Sequence, residues 1–165
     1  MSTKESPVIA GLATELFRRE HAEFKAYLGE ISELVGKLHA GMAADQKKLA
    51  LVVDELSRHI TPHAEWEEKV LYPVVDRYAG GGHPAFTASM RYEHRIIARQ
   101  LAELAHESHR QAPDARRFAR HADHLLGLVA AHFEAEEEVL LTLLDSSMTA
   151  EEFRREVMER EQHQH

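Results

Sequence analysis

The chain has no cysteine in its 165 residues, which excludes disulfides, thiolate metal sites and thiol nucleophiles together. Proline and glycine are scarce, with 5 and 8 copies, so long helices meet few interruptions. No stretch approaches the roughly 18 consecutive apolar residues of a membrane helix. The opening "MSTKESPVIAGLA" lacks the basic start and apolar run of a secretion signal. Positive charge is in the minority: 20 basic against 28 acidic side chains give a formal net charge of -8. That balance argues against nucleic acid or an anionic membrane as partner. At 44% hydrophobic and 29% charged, the composition is that of a soluble globular chain. The expectation is one cytoplasmic domain over residues 1–165, with a core of ordinary size.

Histidine is abundant, with 13 copies. Only His163 and His165 belong to the terminal "HQH", so the excess is not a purification tag. Histidine is the commonest metal ligand among side chains, and a chain without thiolates must build a transition-metal site from imidazole and carboxylate.

Apolar spacings of three and four mark four helices. Ser6-Pro7 reads as an N-cap with proline at the first helical position, followed by Phe17, His21, Phe24, Leu28, Ile31, Val35 and Leu38, with "HAGMAAD" as the stop. The second stripe is Leu49, Val53, Leu56, Ile60, His63, Glu67, Val70 and Val74, ending at "AGGGHP". The third is Met90, His94, Ile97, Leu101 and Leu104; the fourth is Phe118, Leu125, Val129, His132, Glu136, Val139 and Leu143. Thr149 and Glu152 are spaced as the capping box of a short fifth helix over about 149–162. No window alternates at period two. The expected fold is all-α: an antiparallel up-down-up-down four-helix bundle over about 8–145, followed by that short helix. Pro62 predicts a kink in the second helix, or the start of a new one at Thr61.

Two phrases repeat. "HAEWEEKVLYPVVD" begins at His63 and "HFEAEEEVLLTLLD" at His132; "RREH" ends at His21 and "RYEH" at His94. The chain therefore reads as two copies of a helical hairpin. Each copy offers a histidine from its first helix and His-x-x-x-Glu from its second. Frequency alone says little, because about two His-x-x-x-Glu pairs are expected by accident at this composition. Position says more. Residues i and i+4 share a helix face, and here they replace apolar residues in stripes that must face the core. A carboxylate buried without a partner costs several kcal/mol. Four imidazoles and two carboxylates meeting in one layer are satisfied together by cations, with the carboxylates bridging. Glu68 and Glu137 fall on the flank, where they could support ligands; Glu65 and Glu134 fall on the opposite side.

These residues resemble the hemerythrin-like, or HHE cation-binding, family over roughly residues 8 to 145; its member myohemerythrin is a four-helix bundle. The resemblance implies a non-haem di-iron centre, bridged by carboxylates and an oxo or hydroxo group, that meets dioxygen, nitric oxide or peroxide. The ligands it implies are His21, His63, Glu67, His94, His132 and Glu136. Oxygen-carrying members have a further histidine one turn along the third helix, where this chain has Ala98. That departure argues against reversible oxygen transport and leaves both irons positions for water or peroxide. His59 lies one turn before His63 on its face, and its repeat counterpart is Leu128. It reads either as a fifth ligand or proton shuttle, or as a partly exposed helix histidine.

His39, His83, His106, His109, His121, His163 and His165 fit loop, flank or tail positions, and His124 is two turns from His132. Tyr27 and Trp66 read as packing residues. The leading function is a binder or sensor of a small oxidant. The alternatives are a catalase-like enzyme that disproportionates peroxide, and an iron-dependent interaction module. Zinc or manganese remains open as the metal, and no protein partner is specified.

Overall fold

The computed structural model describes residues 12–43, 45–80 and 85–159; the Ser6-Pro7 cap lies outside them. Among the described residues everything regular is helical. The first rod is α1 (Glu15–His39). Just before it, Thr14 is tied to the far end of the chain: its N–H and its hydroxyl both donate to Asp145 at 2.9 Å. The stop at "HAGMAAD" is a Schellman turn. Gly41 takes the left-handed conformation (φ 75°), while Gly41 N–H donates to Leu38 O and Met42 N–H to Lys37 O, each at 3.0 Å.

The second rod joins α2 (Gln46–Trp66), a π-helical turn π1 (Glu67–Leu71) and α3 (Tyr72–Tyr78). The third is α4 (Ala85–Ser108). The fourth repeats the second: α5 (Ala115–Ala135), π2 (Glu136–Leu141) and α6 (Thr142–Ser147). A short terminal piece follows, α7 (Ala150–Phe153) running into π3 (Arg154–Met158). Its Thr149–Glu152 capping box is present in both directions. Asp45 and Asp114 cap α2 and α5 alike, each accepting from the second and third backbone N–H groups beyond it.

Pro62 lies inside an unbroken α2, so no new helix starts at Thr61. The backbone departs from α geometry one turn later, at Glu67 and at its counterpart Glu136. A π turn bonds i to i+5 and so adds one residue to the turn, which rotates everything after it. The expected stripe beyond Glu136 is therefore displaced: Val139 is 49% exposed, whereas Leu140, Leu141 and Leu144 are buried. In the second rod the same rotation turns Leu71 and Tyr72 fully inward.

Each rod packs on two others, in the ring α1–α2–α4–α5. Two apolar clusters form inside, one around Leu28, Leu56, Leu101 and Leu125, the other around Phe17, Leu71, Met90 and Leu140. The chain crosses between them in alternating order. Phe17 precedes His21 and Leu28 follows it; Ile60 precedes His63 and Val70 follows Glu67; Met90, Ile97, Val129 and Leu140 repeat the scheme. The polar residues thus lie between two apolar halves. Among the described residues no helix is long and apolar enough to cross a membrane.

Candidate metal centre

The six residues singled out by the repeat come together. His21, Glu67, His132 and Glu136 are at most 2% exposed, and His63 and His94 at most 9%. Two groups have the reach of a metal ion, Glu67–His94–His132–Glu136 and His21–His63–Glu67, with ligand-type atoms within 4.8 Å of one another in each. The carboxylates span both groups. Glu67 lies 2.8 Å from His63 Nε2 and 3.0 Å from His94 Nε2; Glu136 lies 3.3 Å from the Nε2 atoms of both His21 and His132.

Every ring turns Nε2 inward and Nδ1 toward a carboxylate. His94 Nδ1 meets Glu68 at 2.9 Å, His21 Nδ1 meets Glu137 at 3.1 Å, and His132 Nδ1 meets Glu93 at 2.7 Å. Glu20 is 3.9 Å from His63 Nδ1. An Nδ1–H donated outward fixes the tautomer whose Nε2 is a free lone pair, the usual support of a metal-bound imidazole. The flanking roles expected for Glu68 and Glu137 are therefore what the geometry shows. Glu20 and Glu93 are additional; their signal was the glutamate inside each Arg-x-Glu-His.

The turns π1 and π2 are held by the arginines of the same motif. Pro73 has no N–H to give, and Glu68 O accepts from Arg91 at 2.8 Å. In the other half Glu137 O accepts from Arg18 and from the Thr142 hydroxyl, both at 3.1 Å. Thr87 donates to Asp76 at 2.6 Å, as Thr14 does to Asp145.

One residue at the layer has no polar counterpart. Tyr72 is fully buried; its hydroxyl donates to Glu136 Oε1 at 2.6 Å and lies 3.1 Å from His94 Nε2. The matching position in the other half is Leu141. Burial, then the charges of Glu67 and Glu136, push the phenol well above its ordinary range.

The layer calls for positive charge. Burial alone would lower His21 and His132, but the adjacent Glu136 carboxylate, with further pull from Glu67, raises each to about 9. Burial would raise Glu67, yet the His63 charge and the neighbouring imidazoles of His21 and His94 hold it well below the usual carboxylate range. Even so, His21 Nε2, His63 Nε2, Glu67 Oε1 and Glu136 Oε2 are buried without a hydrogen-bond partner. Buried polar atoms are rarely left so. Metal ions fit here, because they would partner all four atoms at once.

His59 is not part of this assembly. Its side chain is 44% exposed, stacked on Tyr27 with ring centroids 5.1 Å apart, and 3.5 Å from Glu55. A residue one helical turn before His63 sits about 5.4 Å further along the axis, and α2 carries it outside the layer. The expectation of a fifth ligand or shuttle thus gives way to the exposed helix histidine. His39, His109 and His121 pair with Asp123, Asp54 and Gln100 outside the core. Trp66 packs 5.5 Å from Phe17 and 6.1 Å from His63, centroid to centroid; His83, His163 and His165 lie outside the described residues.

Fold and site together define a helical protein with a buried histidine–glutamate cluster able to hold metal. The family model of the Hemerythrin HHE cation binding domain matches residues 12–144, and the chain belongs to that family. No curated protein and no solved structure gives a significant match.

Proposed function

We propose that the chain is a non-haem di-iron protein that binds or senses a small oxidant: dioxygen, nitric oxide or peroxide. Its single domain over residues 1–165 would be an antiparallel up-down-up-down four-helix bundle, with the metals in its core. One observation carries this reading: unpartnered, buried Nε2 and carboxylate oxygen atoms converge in one layer between two apolar clusters. His21 and His63 would hold one ion, His94 and His132 the other, with Glu67 and Glu136 shared, since each carboxylate reaches histidines of both groups. A set of imidazole and carboxylate suits iron, and manganese and zinc less distinctively.

The irons, when bound, supply redox chemistry and coordination positions for a small ligand. The protein does the rest. Glu68, Glu93 and Glu137 orient the rings through Nδ1, Tyr72 donates a hydrogen bond to Glu136, and the apolar clusters keep bulk water out. The test is metal analysis with an absorption spectrum of protein from iron-replete cells. Two irons per chain and a near-ultraviolet charge-transfer band are expected; native protein without any bound transition metal would overturn the reading. Adding peroxide then separates roles: one spectral change marks a binder or sensor, and sustained oxygen release marks an enzyme.

A further inference from the structure

The two halves differ in how far the outside reaches toward the layer. Between α2 and α4 a cavity of about 230 Å³ opens; His63, Glu67, His94 and His132 form its floor. Its walls are mostly apolar, with Ile60, Ala64, Ile97, Ala98 and Leu101, and Thr61, Glu65, Glu68 and Arg95 also line it. Ala98 is exposed and Ala64 half-buried, so on facing helices α2 and α4 two lining side chains near solvent are single methyl groups.

The equivalent place in the other half is the groove between α1 and α5, lined by Lys25, Leu28, Phe133 and Glu137 among others and by none of the six layer residues. The repeat explains why it stops short. Positions in α2 and α5 correspond 69 residues apart, as His63 and His132 do, so Ala64 answers to Phe133. Positions in α1 and α4 correspond 73 apart, as His21 and His94 do, so Ala98 answers to Lys25. Phe133 is buried and lies against the His21 ring, centroids 4.2 Å apart. Lys25 reaches across to Glu137 at 2.8 Å. A phenyl ring and an ion pair thus fill on one side what two alanines leave open on the other.

We infer that Ala64 and Ala98 form a one-sided port, through which a small uncharged ligand reaches the His94–His132 side of the layer, while Phe133 and Lys25 seal the opposite face. A throat with mostly apolar walls admits a neutral diatomic molecule, which has little hydration to lose on entering. This rests on the proposed small-ligand function for its purpose, though not for its geometry.

Two measurements test it. In iron-loaded, reduced protein, stopped-flow absorbance follows the association of nitric oxide. Ala98→Leu and Ala64→Phe are expected to slow it at least about tenfold, because entry then waits on side-chain and helix motion, with metal content and resting spectrum unchanged. Lys25→Ala on the sealed side is expected to leave the rate within about twofold of the native value, because buried Phe133 still closes that face. Leucine at exposed Ala98 keeps helix propensity, so one variant folds even if phenylalanine at position 64 does not. Rates unchanged in Ala98→Leu, or slowed equally by Lys25→Ala, overturn the port. Second, crystals under xenon pressure, with or without metal, are expected to show xenon in the native throat, as dry apolar cavities do, and none there in Ala98→Leu. A native throat without xenon also overturns the port, whereas xenon bound in protein that takes up no iron leaves the port standing and sinks the di-iron reading instead.

Discussion

Glu67 is where the two candidate ion groups meet, and it is 1% exposed. Glu67→Ala is expected to cut bound iron from two to one or fewer per chain, read by metal analysis of the purified variant. His59→Ala, half exposed beside Tyr27, should leave metal content and the response to peroxide as they are. Tyr72→Phe removes a buried donor from a carboxylate, so a loss of about 1.5–3 kcal/mol in metal-free stability is expected by denaturant titration. At this scale much was legible. The six cluster residues stood out because they interrupted apolar stripes, and the flanking roles of Glu68 and Glu137 followed from their offset. Tyr72 did not stand out, since its inward aim depends on a backbone rotation that no spacing of three and four encodes. Glu93 was in plain view within a repeated motif, but a glutamate on a helix flank reads as solvated until a neighbouring helix brings His132 to it.

The elements carry the same lesson in their backbone. The turns π1 and π2 begin at the cluster glutamates, and each leaves a carbonyl one residue later to which an arginine of the adjacent rod donates. Removing Arg91 by substitution with alanine should cost about 1–3 kcal/mol, because Glu68 O loses a charged donor where Pro73 provides none. Hydrogen exchange should quicken locally in 67–75 and little elsewhere, which distinguishes a loosened turn from general destabilisation. The α4–α5 connection depends on Glu107, fully buried, which accepts from Asp114 N–H at 2.6 Å and from Arg110 at 3.1 Å. The Asp114 backbone bond, against the opposing effect of burial, holds Glu107 below the ordinary carboxylate value of 4.5. A group lowered in the folded state stabilises above its unfolded pKa and loses that contribution as pH falls through the folded one. Glu107→Gln should therefore lower the urea midpoint at neutral pH and narrow the gap to the native protein as the medium is acidified below pH 4.5.

For the molecule as a whole, the layer separates two apolar clusters, and each half of the structure depends on the charge balance between them. An ion held by the folded chain alone stabilises it by mass action, about 2.7 kcal/mol when free metal is a hundredfold above the dissociation constant. Chelation is expected to lower the melting temperature, and readdition of iron to restore it, in a calorimetric scan. A melting point indifferent to chelator would mean that the layer is satisfied by protons alone. The all-helical architecture was readable from breakers and periodicity, since few glycines and prolines leave little else to form. The order of burial beyond Glu136 was not, because a single added residue in one turn moves Val139 out and Leu140 in.

The matched pairs Thr14–Asp145 and Thr87–Asp76 fasten the start of each hairpin to the finish of the other, so the two copies are equivalent in scaffold but free to diverge in detail. A dimer of identical hairpins would be obliged to repeat every choice, giving two doors or none and a phenol on both flanks or on neither. Writing the copies into one continuous polypeptide lifts that obligation. A front and a back to the same polar layer is a property open to the fused form and closed to identical copies.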